Sequence, residues 1–254
     1  MIVIQDIHKS FGDKLVLNGI SAQFEAGKTS LIIGTSGSGK TVLMKSMIGL
    51  FEINQGAVLY DGVNFSEMNF YERKNIRTKI GMLFQGSALF DSLTVEENIR
   101  FPLDMFTDMT NKEKKDRIDF CLDRVNMKGI NKLFPSEISG GMQKRVGIAR
   151  AIVQNPQYLF CDEPNSGLDP KTSILIDNLI KEITTEYNIT TIINTHDMNS
   201  VMEIGDYILY LHKGHKHWEG SNADIIKSDN PELNDFIFAS SFLKEMKKVA
   251  QKKS

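Results

Sequence analysis

The stretch KTSLIIGTSGSGKTVLMKSMIGL, residues 28–50, decides the fold of this chain. Its first third is a short, mostly apolar run typical of a buried strand, and its last third follows a helical pattern. Between them, Gly34, Gly39, Lys40 and Thr41 match the glycine-rich phosphate-binding pattern, the P-loop, at every defined position. A strand, a glycine loop and a helix in this order predict one unit that binds the phosphates of a nucleotide.

Each part of this loop suits a task in phosphate binding. Backbone N–H groups freed by the glycines can wrap the phosphates, Lys40 can reach the β and γ phosphates, and Thr41 can bind Mg²⁺. We therefore predict that the whole loop contacts the nucleotide: Gly34, Thr35, Ser36, Gly37, Ser38, Gly39, Lys40 and Thr41.

Three later strands are predicted to end in polar residues that suit nucleotide hydrolysis. Asp162 and Glu163 follow an apolar run in YLFCDEP, His196 lies in NTHDM, and Gln85 lies in MLFQGSALF. Ligands of open α/β sheets bind at the carboxyl ends of the strands. Asp162 can hold magnesium through water, and Glu163 can polarise the water that attacks the γ phosphate. His196 can contact that phosphate, and Gln85 can complete the magnesium shell or touch the water.

The stretch ISGGMQKRVGIARA, residues 138–151, has the signature of a helix start but no catalytic group. Ser139 can cap the helix, and Gly140 and Gly141 allow a close approach to its backbone. The stretch supplies no acid and no metal ligand, so its sequence alone leaves open what binds there.

Composition excludes several classes of protein. The chain has 254 residues, 41% of them hydrophobic, which suits a large core rather than disorder. A net charge of −2 and a pI near 6.2 give no support for a nucleic-acid-binding surface. Cys121 and Cys161 lack metal-binding spacing and are predicted to be buried thiols. Without an apolar run of roughly 18 residues, we expect a cytosolic chain that reaches a membrane only through another protein.

The order of predicted elements indicates an α/β fold with two additions. Short β-rich runs at the N-terminus, with a turn at Gly12 and Asp13, predict an antiparallel β subdomain. A helical region follows, and its helices are predicted to be broken by Pro102, Gly129 and Pro135. After this region, strands and helices alternate again. An α/β core interrupted by a helical insertion accounts for this order.

These patterns predict the following domain organisation. The nucleotide-binding core with its β subdomain covers residues 1–86 and 155–228, the helical subdomain covers 87–154, and a helical tail covers 229–254. The apolar residues of the tail are predicted to form either a last packing helix or a dimer contact: Phe236, Ile237, Phe242, Leu243 and Met246.

Six sequence features stand in the order found in ABC-type ATPases: the P-loop, Gln85, the SGG of residues 139–141, the DE of YLFCDEP, SGLD and His196. The chain resembles that family along nearly its whole length. The resemblance implies a P-loop NTPase core of the RecA-like type, with ATP and Mg²⁺ as cofactors. It also implies a homodimer in which each ATP lies between the P-loop of one copy and the SGG motif of the other. The helix end after Ser139 would then point its N–H groups and positive dipole at the γ phosphate held by the partner.

Four further residues take their expected roles from the resemblance. Phe11 lies where the family has an aromatic residue that stacks on adenine, and Asp169 belongs to the SGLD loop that crosses the dimer. Met142 stands where many members have Gln, so a flexible apolar side chain lies beside the predicted nucleotide. Asn165 stands where Thr is commoner, a change expected to be mild.

Two longer segments that contain these motifs, GMLFQGSALFDSLTVEENIRFPL and SGGMQKRVGIARAI, most resemble the sequences of ATP-binding subunits of Mla-type, or MCE-associated, transporters. Such subunits partner a membrane permease and a lipid-binding MCE protein that move phospholipid across the cell envelope. We therefore expect a motor subunit held on the cytoplasmic face of the inner membrane by its permease. Three alternatives stay open: the ATPase of another importer, such as one for an amino acid, a soluble ATPase that remodels a non-membrane partner, and a nucleotide-dependent binding protein with little turnover.

Residues 86–105 follow Gln85 directly and are rich in apolar side chains. We predict that they form the socket for a cytoplasmic helix of the permease: Leu89, Phe90, Leu93, Val95, Ile99 and Phe101. The alternative is that these side chains only pack the helical insertion.

Overall fold

The computed structural model describes residues 1–238 and residue 247. In chain order the elements are β1 (Ile2–Phe11), β2 (Lys14–Phe24), β3 (Thr29–Ile33), α1 (Lys40–Met47), β4 (Gln55–Tyr60), β5 (Val63–Asn64), α2 (Phe70–Arg77), β6 (Ile80–Leu83), α3 (Val95–Phe106) and α4 (Asn111–Arg124). They continue with α5 (Gly140–Ile152), β7 (Tyr158–Asp162), α6 (Pro170–Glu186), β8 (Thr190–Asn194), α7 (Met198–Ile204), β9 (Tyr207–His212), β10 (His215–Gly220), α8 (Asn222–Lys227) and α9 (Pro231–Ile237).

The elements divide between two compact units. The first unit contains Met1–Glu67 and the described residues from Asn194 onward, and the second contains Met68–Ile193. The predicted boundaries of the helical subdomain, 87–154, lie inside the second unit, and the predicted domain organisation stays a prediction.

The first unit begins with an antiparallel sheet in the order β2-β1-β4-β5. β1 and β2 form a hairpin in which Phe11 pairs with Lys14. Gly12 lies in the turn with a φ of +56°, a left-handed conformation that glycine adopts without strain. This sheet confirms the predicted antiparallel β subdomain.

The first unit also contains the strand that leads into the P-loop. All five residues of β3 are buried, and β3 pairs in parallel with β9, which is itself antiparallel to β10. Strands that are covered on both faces are continuous in apolar and β-branched residues, which is the pattern of TSLII. β3 therefore delivers Gly34 and the P-loop from the middle of a buried layer.

The second unit places helices on a short parallel sheet. β6 and β7 are parallel, with Leu83 opposite Cys161, and β8 lies on the other side of β7. α5 packs against β6 and against the helices α3, α4 and α6. Its buried residues with those of α3 and α4 form one apolar core: Val95, Ile99, Leu103, Ile118, Cys121, Leu122, Val146, Ile148 and Ala149.

Two helices of the second unit begin with capping boxes that fix where they start. The Thr94 hydroxyl accepts from the Glu97 N–H, and the Glu97 carboxylate accepts from the Thr94 N–H. Thr110 and Glu113 repeat this arrangement at the start of α4. The hydrogen bonds from Thr94 and Thr110 lower the pKa of both carboxyl groups. A capping box satisfies N–H groups that have no partner within the helix.

Pro102 lies inside α3, so the prediction that this proline breaks the helix is wrong. Proline removes one backbone hydrogen bond and crowds the carbonyl four residues before it. The buried side chains of Val95 and Ile99 precede Pro102 and that of Leu103 follows it. Packing on both sides of the proline holds the helix together, since tertiary contacts provide most helical stability in proteins. Gly129 and Pro135 do lie outside the α-helices, as predicted.

Both cysteines are buried free thiols, which confirms their predicted role in the core. Burial raises the pKa of Cys121 to about 11 and also raises that of Cys161. Of the predicted tail, α9 is described, whereas Phe242, Leu243 and Met246 lie outside the described residues. In residues 1–238, no helix combines the length and the apolar character needed to span a bilayer.

Candidate nucleotide site

The P-loop of the first unit curls around its own lysine. The Lys40 ammonium donates to the carbonyl of Gly34 at 2.8 Å and to that of Thr35 at 3.2 Å. Gly34, Gly37 and Gly39 have φ values of +151°, +78° and +107°, which only glycine adopts readily. The glycines thus allow the backbone to turn tightly enough that Lys40 faces the inside of the loop.

The loop has the features of an anion cradle. A Cβ atom on Gly34 would lie 2.3 Å from the Leu211 carbonyl oxygen and 2.6 Å from the Ser38 hydroxyl oxygen. That hydroxyl is buried and has no hydrogen-bond partner within the described part of the chain. α1 begins at Lys40 without a side-chain cap, so its first N–H groups are directed at the loop. N–H groups, an ammonium and a free hydroxyl around one hollow fit a phosphate group.

His196 and Phe11 belong to the same unit as the P-loop. The Thr195 N–H donates to the Ile32 carbonyl at 3.2 Å, which holds the exposed His196 beside the end of β3, just before Gly34. Phe11, at the end of β1, is 44% exposed and contacts Phe51 edge-to-face with ring centroids 5.2 Å apart. Both placements suit the predicted contacts with phosphate and adenine, and those roles stay predictions.

The second unit brings Gln85 and Glu163 to the same level of its sheet. Leu83 of β6 pairs with Cys161 of β7. Gln85 lies two positions after Leu83, and Glu163 lies two positions after Cys161. Glu163 has a φ of +51°, a left-handed conformation that is rare outside glycine. Asp162, the last residue of β7, is 8% exposed. A non-glycine residue in this conformation at a strand end is a feature that clusters at functional sites.

The predicted magnesium ligands are all oxygen donors. They are the hydroxyl of Thr41, the side-chain amide of Gln85 and the carboxylate of Asp162. Magnesium prefers such ligands and usually binds through one or two carboxylates together with substrate phosphates. Within residues 1–238 and residue 247, no three His, Cys, Asp or Glu side chains group as a metal site of their own. Each of these donors is of the kind that magnesium prefers, and their joint binding of one ion stays a prediction.

The N-terminal end of α5 opens into a cavity, which we call the signature cavity. Ser139 caps the helix, as predicted, by accepting from the Met142 N–H at 3.3 Å. The cavity has a volume of about 330 Å³ and is lined by both the SGG and the SGLD segments: Ser139, Gly140, Gly141, Met142, Arg145, Gly167, Leu168, Asp169 and Thr172. Asp169 caps α6 by accepting from the Thr172 N–H at 3.1 Å. The structure thus brings Asp169 together with the four predicted residues at the start of α5, residues 139–142.

Two residues outside the predicted site, Arg150 and Asn98, organise the loop after Gln85. Arg150 of α5 donates to the carbonyls of Ser87 and Ala88, which have φ values of +62° and +47°. The buried Asn98 side chain accepts from the Phe90 N–H at 2.7 Å and donates to the Phe90 carbonyl at 3.1 Å. The Arg150 contacts span 62 and 63 positions of the chain, so no local motif signals them.

The predicted socket divides into buried and exposed residues. Val95 and Ile99 are fully buried and pack the core, so their predicted part in a socket is wrong. Phe90 and Phe101 are 43% and 41% exposed, and their ring centroids are 5.0 Å apart. Met105 is exposed one turn after Phe101 on α3, and we call Phe90, Phe101 and Met105 the phenylalanine patch.

A comparison with family models identifies the class of protein. Residues 17–166 match the model described as ABC transporter. The chain belongs to this family, and it is an ATP hydrolase of the ABC type.

Three relatives show what particular proteins the chain resembles. It is 38% identical to the probable ribonucleotide transport ATP-binding protein mkl of Mycobacterium leprae, over 93% of this chain and 68% of that protein. It is 36% identical to the methionine import ATP-binding protein MetN of Carboxydothermus hydrogenoformans, over 93% of this chain and 71% of that protein. It is 32% identical to the intermembrane phospholipid transport system ATP-binding protein MlaF of Haemophilus influenzae, over 93% and 90%.

A solved structure supports the fold assignment. The dimeric ABC transporter cassette MJ0796 aligns with a TM-score of 0.80 at 31% identity, over 87% of this chain and 99% of that one. This match confirms the predicted α/β P-loop NTPase core.

Proposed function

We propose that this chain is the ATP-hydrolysing subunit of a phospholipid transporter, bound through a permease to the cytoplasmic face of the inner membrane, with an MCE protein as a further partner. The observation that carries the cargo class is the similarity to MlaF, which extends over 90% of that protein. The sequence around Gln85 and the SGG motif agrees with this cargo class. The similarity to mkl and MetN keeps a transporter of another cargo as the second candidate.

In this proposal each predicted motif has one chemical task. The P-loop N–H groups and Lys40 hold the phosphates of ATP, and Thr41, Gln85 and Asp162 hold Mg²⁺, which neutralises phosphate charge when bound. Glu163 accepts a proton from the attacking water, and His196 orients that water against the γ phosphate. Positioning and charge stabilisation provide most of the rate of phosphoryl transfer, so these groups need only be held in place.

The proposal includes a second copy of the chain. The signature cavity presents the capped end of α5, whose N–H groups and positive dipole attract an anion. The phosphate cradle of the first unit uses different residues and its own helix end. The dimeric cassette MJ0796 supports a homodimer in which the cavity of one copy faces the ATP of the other.

The phenylalanine patch suits an apolar helix of the permease. Aromatic residues dominate the energy of protein interfaces, and a cluster of exposed ones marks an interaction surface. Asn98 and Arg150 fix the backbone between Gln85 and this patch, so a shift at Gln85 reaches the patch through few atoms. We expect this segment to couple the nucleotide state to the membrane partner.

The test is a pull-down of the tagged full chain from membranes of its own organism, with partners identified by mass spectrometry. Phe90→Asp and Phe101→Asp each place a charge in the patch and should lose the permease while ATP binding persists. Phe120→Asp is the matched control, because Phe120 is an equally exposed aromatic residue on α4.

Recovery of a permease and an MCE-domain protein, lost in the patch variants and kept in the control, is the expected result. Recovery of a permease without an MCE protein would favour another importer. Recovery of soluble partners alone would overturn the transporter assignment and favour the remodelling ATPase.

A further inference from the structure

Lys144 is a buried cation on α5, the helix that carries the SGG motif and that we call the signature helix. It lies in the second turn of α5 and is only 4% exposed. Lysine is almost never buried without partners, because an ammonium group removed from water needs hydrogen-bond acceptors. Burial lowers the pKa of Lys144, and the nearby Cys161, Glu163 and Asp162 act in the opposite direction. The position of its partners therefore explains why the side chain is tolerated there.

The partners are the backbone carbonyls of the two residues predicted to act on the attacking water. The Lys144 ammonium donates to the Gln85 carbonyl and to the Glu163 carbonyl, the latter at 3.4 Å. The Glu163 carbonyl also accepts from the Ser166 N–H at 3.2 Å. The Gln85 side-chain amide in turn donates to the Ser166 hydroxyl at 3.5 Å.

These contacts close a ring of four residues: Lys144, Gln85, Ser166 and Glu163. We call it the lysine ring. Its members come from the signature helix, the strand end at Gln85, the SGLD loop and the strand end at Glu163. Lys144 is the only member that supplies a positive charge, and hydrogen bonds from a charged donor are stronger than neutral ones.

The ring bears on a strained backbone. Glu163 has a φ of +51°, which non-glycine residues adopt only where their surroundings impose it. The residue is held from its carbonyl side by Lys144 and Ser166. A carboxylate that must meet a water molecule depends on this backbone for its direction, since a displacement of about 1 Å can lower a rate by about 10²-fold.

We propose that Lys144 is a positioning residue for ATP hydrolysis, which sets the relative placement of Gln85 and Glu163 through their main-chain carbonyls. This inference rests on the proposed hydrolytic roles of those two residues. The proposed action of Lys144 is indirect, through the two main-chain carbonyls to which it donates. By this contact the helix that carries the SGG motif is joined to the group that activates water.

The test compares Lys144→Met, which keeps the length of the side chain and removes the charge, with Lys144→Arg, which keeps a charged donor. Lys115→Met is the matched control, because Lys115 is an exposed lysine of α4. Each full-length variant is assayed for kcat and KM of ATP hydrolysis, for ATP affinity and for thermal midpoint.

For Lys144→Met we expect kcat to fall by about 10-fold to 10²-fold with KM and ATP affinity near wild type, because positioning acts on the chemical step. Lys144→Arg should retain more of kcat, and the control should match wild type. Hydrogen exchange should rise in Lys144→Met in two peptides, residues 84–90 and 160–168, and stay unchanged in α4. A role limited to general stability would instead alter exchange throughout the second unit.

An unchanged kcat in folded Lys144→Met would overturn the proposal, as would a loss of ATP affinity equal to the loss of kcat. If Lys144→Met does not fold, Lys144→Gln replaces it, and equal kcat values for the Gln and Arg variants would overturn the proposal. Glu163→Gln, assayed in parallel, separates the two levels: if it leaves hydrolysis intact, the proposed role of Glu163 fails whatever Lys144 does.

Discussion

The starts of α1 and α5 are both helix ends that suit a phosphate, yet they are built in opposite ways. At α1 the cap is Gly39, no side chain bonds the first N–H groups, and Lys40 folds back onto its own loop. At α5 the Ser139 side chain caps the helix, and the end faces the signature cavity. The first end is wrapped by one stretch of chain, whereas the second opens into a cavity lined by two separate segments.

This difference suggests a division of labour. The P-loop encloses an anion with residues close in sequence, so binding needs little beyond the loop itself. The end of α5 contributes N–H groups and a dipole to whatever faces the cavity. Within our proposal, a single copy binds ATP and a second copy is needed to hydrolyse it.

The largest expected effect is a loss of hydrolysis without a loss of ATP binding at either helix end. Glu163→Gln should leave ATP affinity unchanged and lower phosphate release by about 10²-fold to 10⁴-fold, because a general base contributes about that much. A phosphate-release assay and equilibrium ATP binding measure the two quantities. Trapping of an ATP-bound dimer, detected by light scattering, is the accompanying sign. Wild-type turnover in this variant would remove the assignment of Glu163 as the base.

The next prediction tests whether the two ends work on different copies. Lys40→Met should lose ATP affinity, and Gly140→Asp should keep it but lose hydrolysis, because a carboxylate at the end of α5 repels the phosphate. Mixed in equal amounts, the two inactive proteins should recover about a quarter of wild-type activity, since half of the dimers contain one intact site. No recovery at any concentration would argue against shared sites.

A third comparison concerns the stability of the two ends. A Cβ on Gly34 would meet the Leu211 carbonyl oxygen at 2.3 Å, whereas one on Gly140 would lie 3.9 Å from the nearest atom of Leu168. Gly34→Ala should therefore lower the free energy of unfolding by about 1–3 kcal/mol. Gly140→Ala should be neutral or slightly stabilising, because glycine disfavours a helix. Urea denaturation measures both, and equal losses would contradict the open geometry of the α5 end.

The smallest effect is expected at the cap. Ser139→Ala removes the acceptor of the Met142 N–H and should lower the free energy of unfolding by about 1 kcal/mol. Calorimetry should give a similar loss of unfolding free energy for Thr110→Ala, which removes the corresponding cap of α4. A much larger loss would mean that Ser139 supports more than the first turn of α5.

Features that depend on neighbouring residues were predictable from the sequence. The β3–P-loop–α1 unit, the hairpin turn at Gly12 and the Ser139 cap each follow from a local pattern. Their physical causes, a buried apolar run, a left-handed glycine and a side-chain acceptor, act within a few residues.

Features that depend on distant parts of the chain were not predictable. Pro102 is tolerated because α3 is packed on both sides of it, and the buried Val95 and Ile99 belong to a helix that packs against α5. The lysine ring joins residues 59 and 19 positions apart along the chain. A lysine in a helical run predicts solvent exposure by default, so only the packed structure could indicate otherwise.

The burial of both native thiols has a practical consequence. Cys121 has a pKa of about 11 and Cys161 is enclosed completely, so neither presents a reactive thiolate at neutral pH. One cysteine introduced at an exposed residue such as Lys115 would be labelled by maleimide dyes in an otherwise native sequence. Single-molecule fluorescence between two labelled copies can then test whether their separation changes with the bound nucleotide.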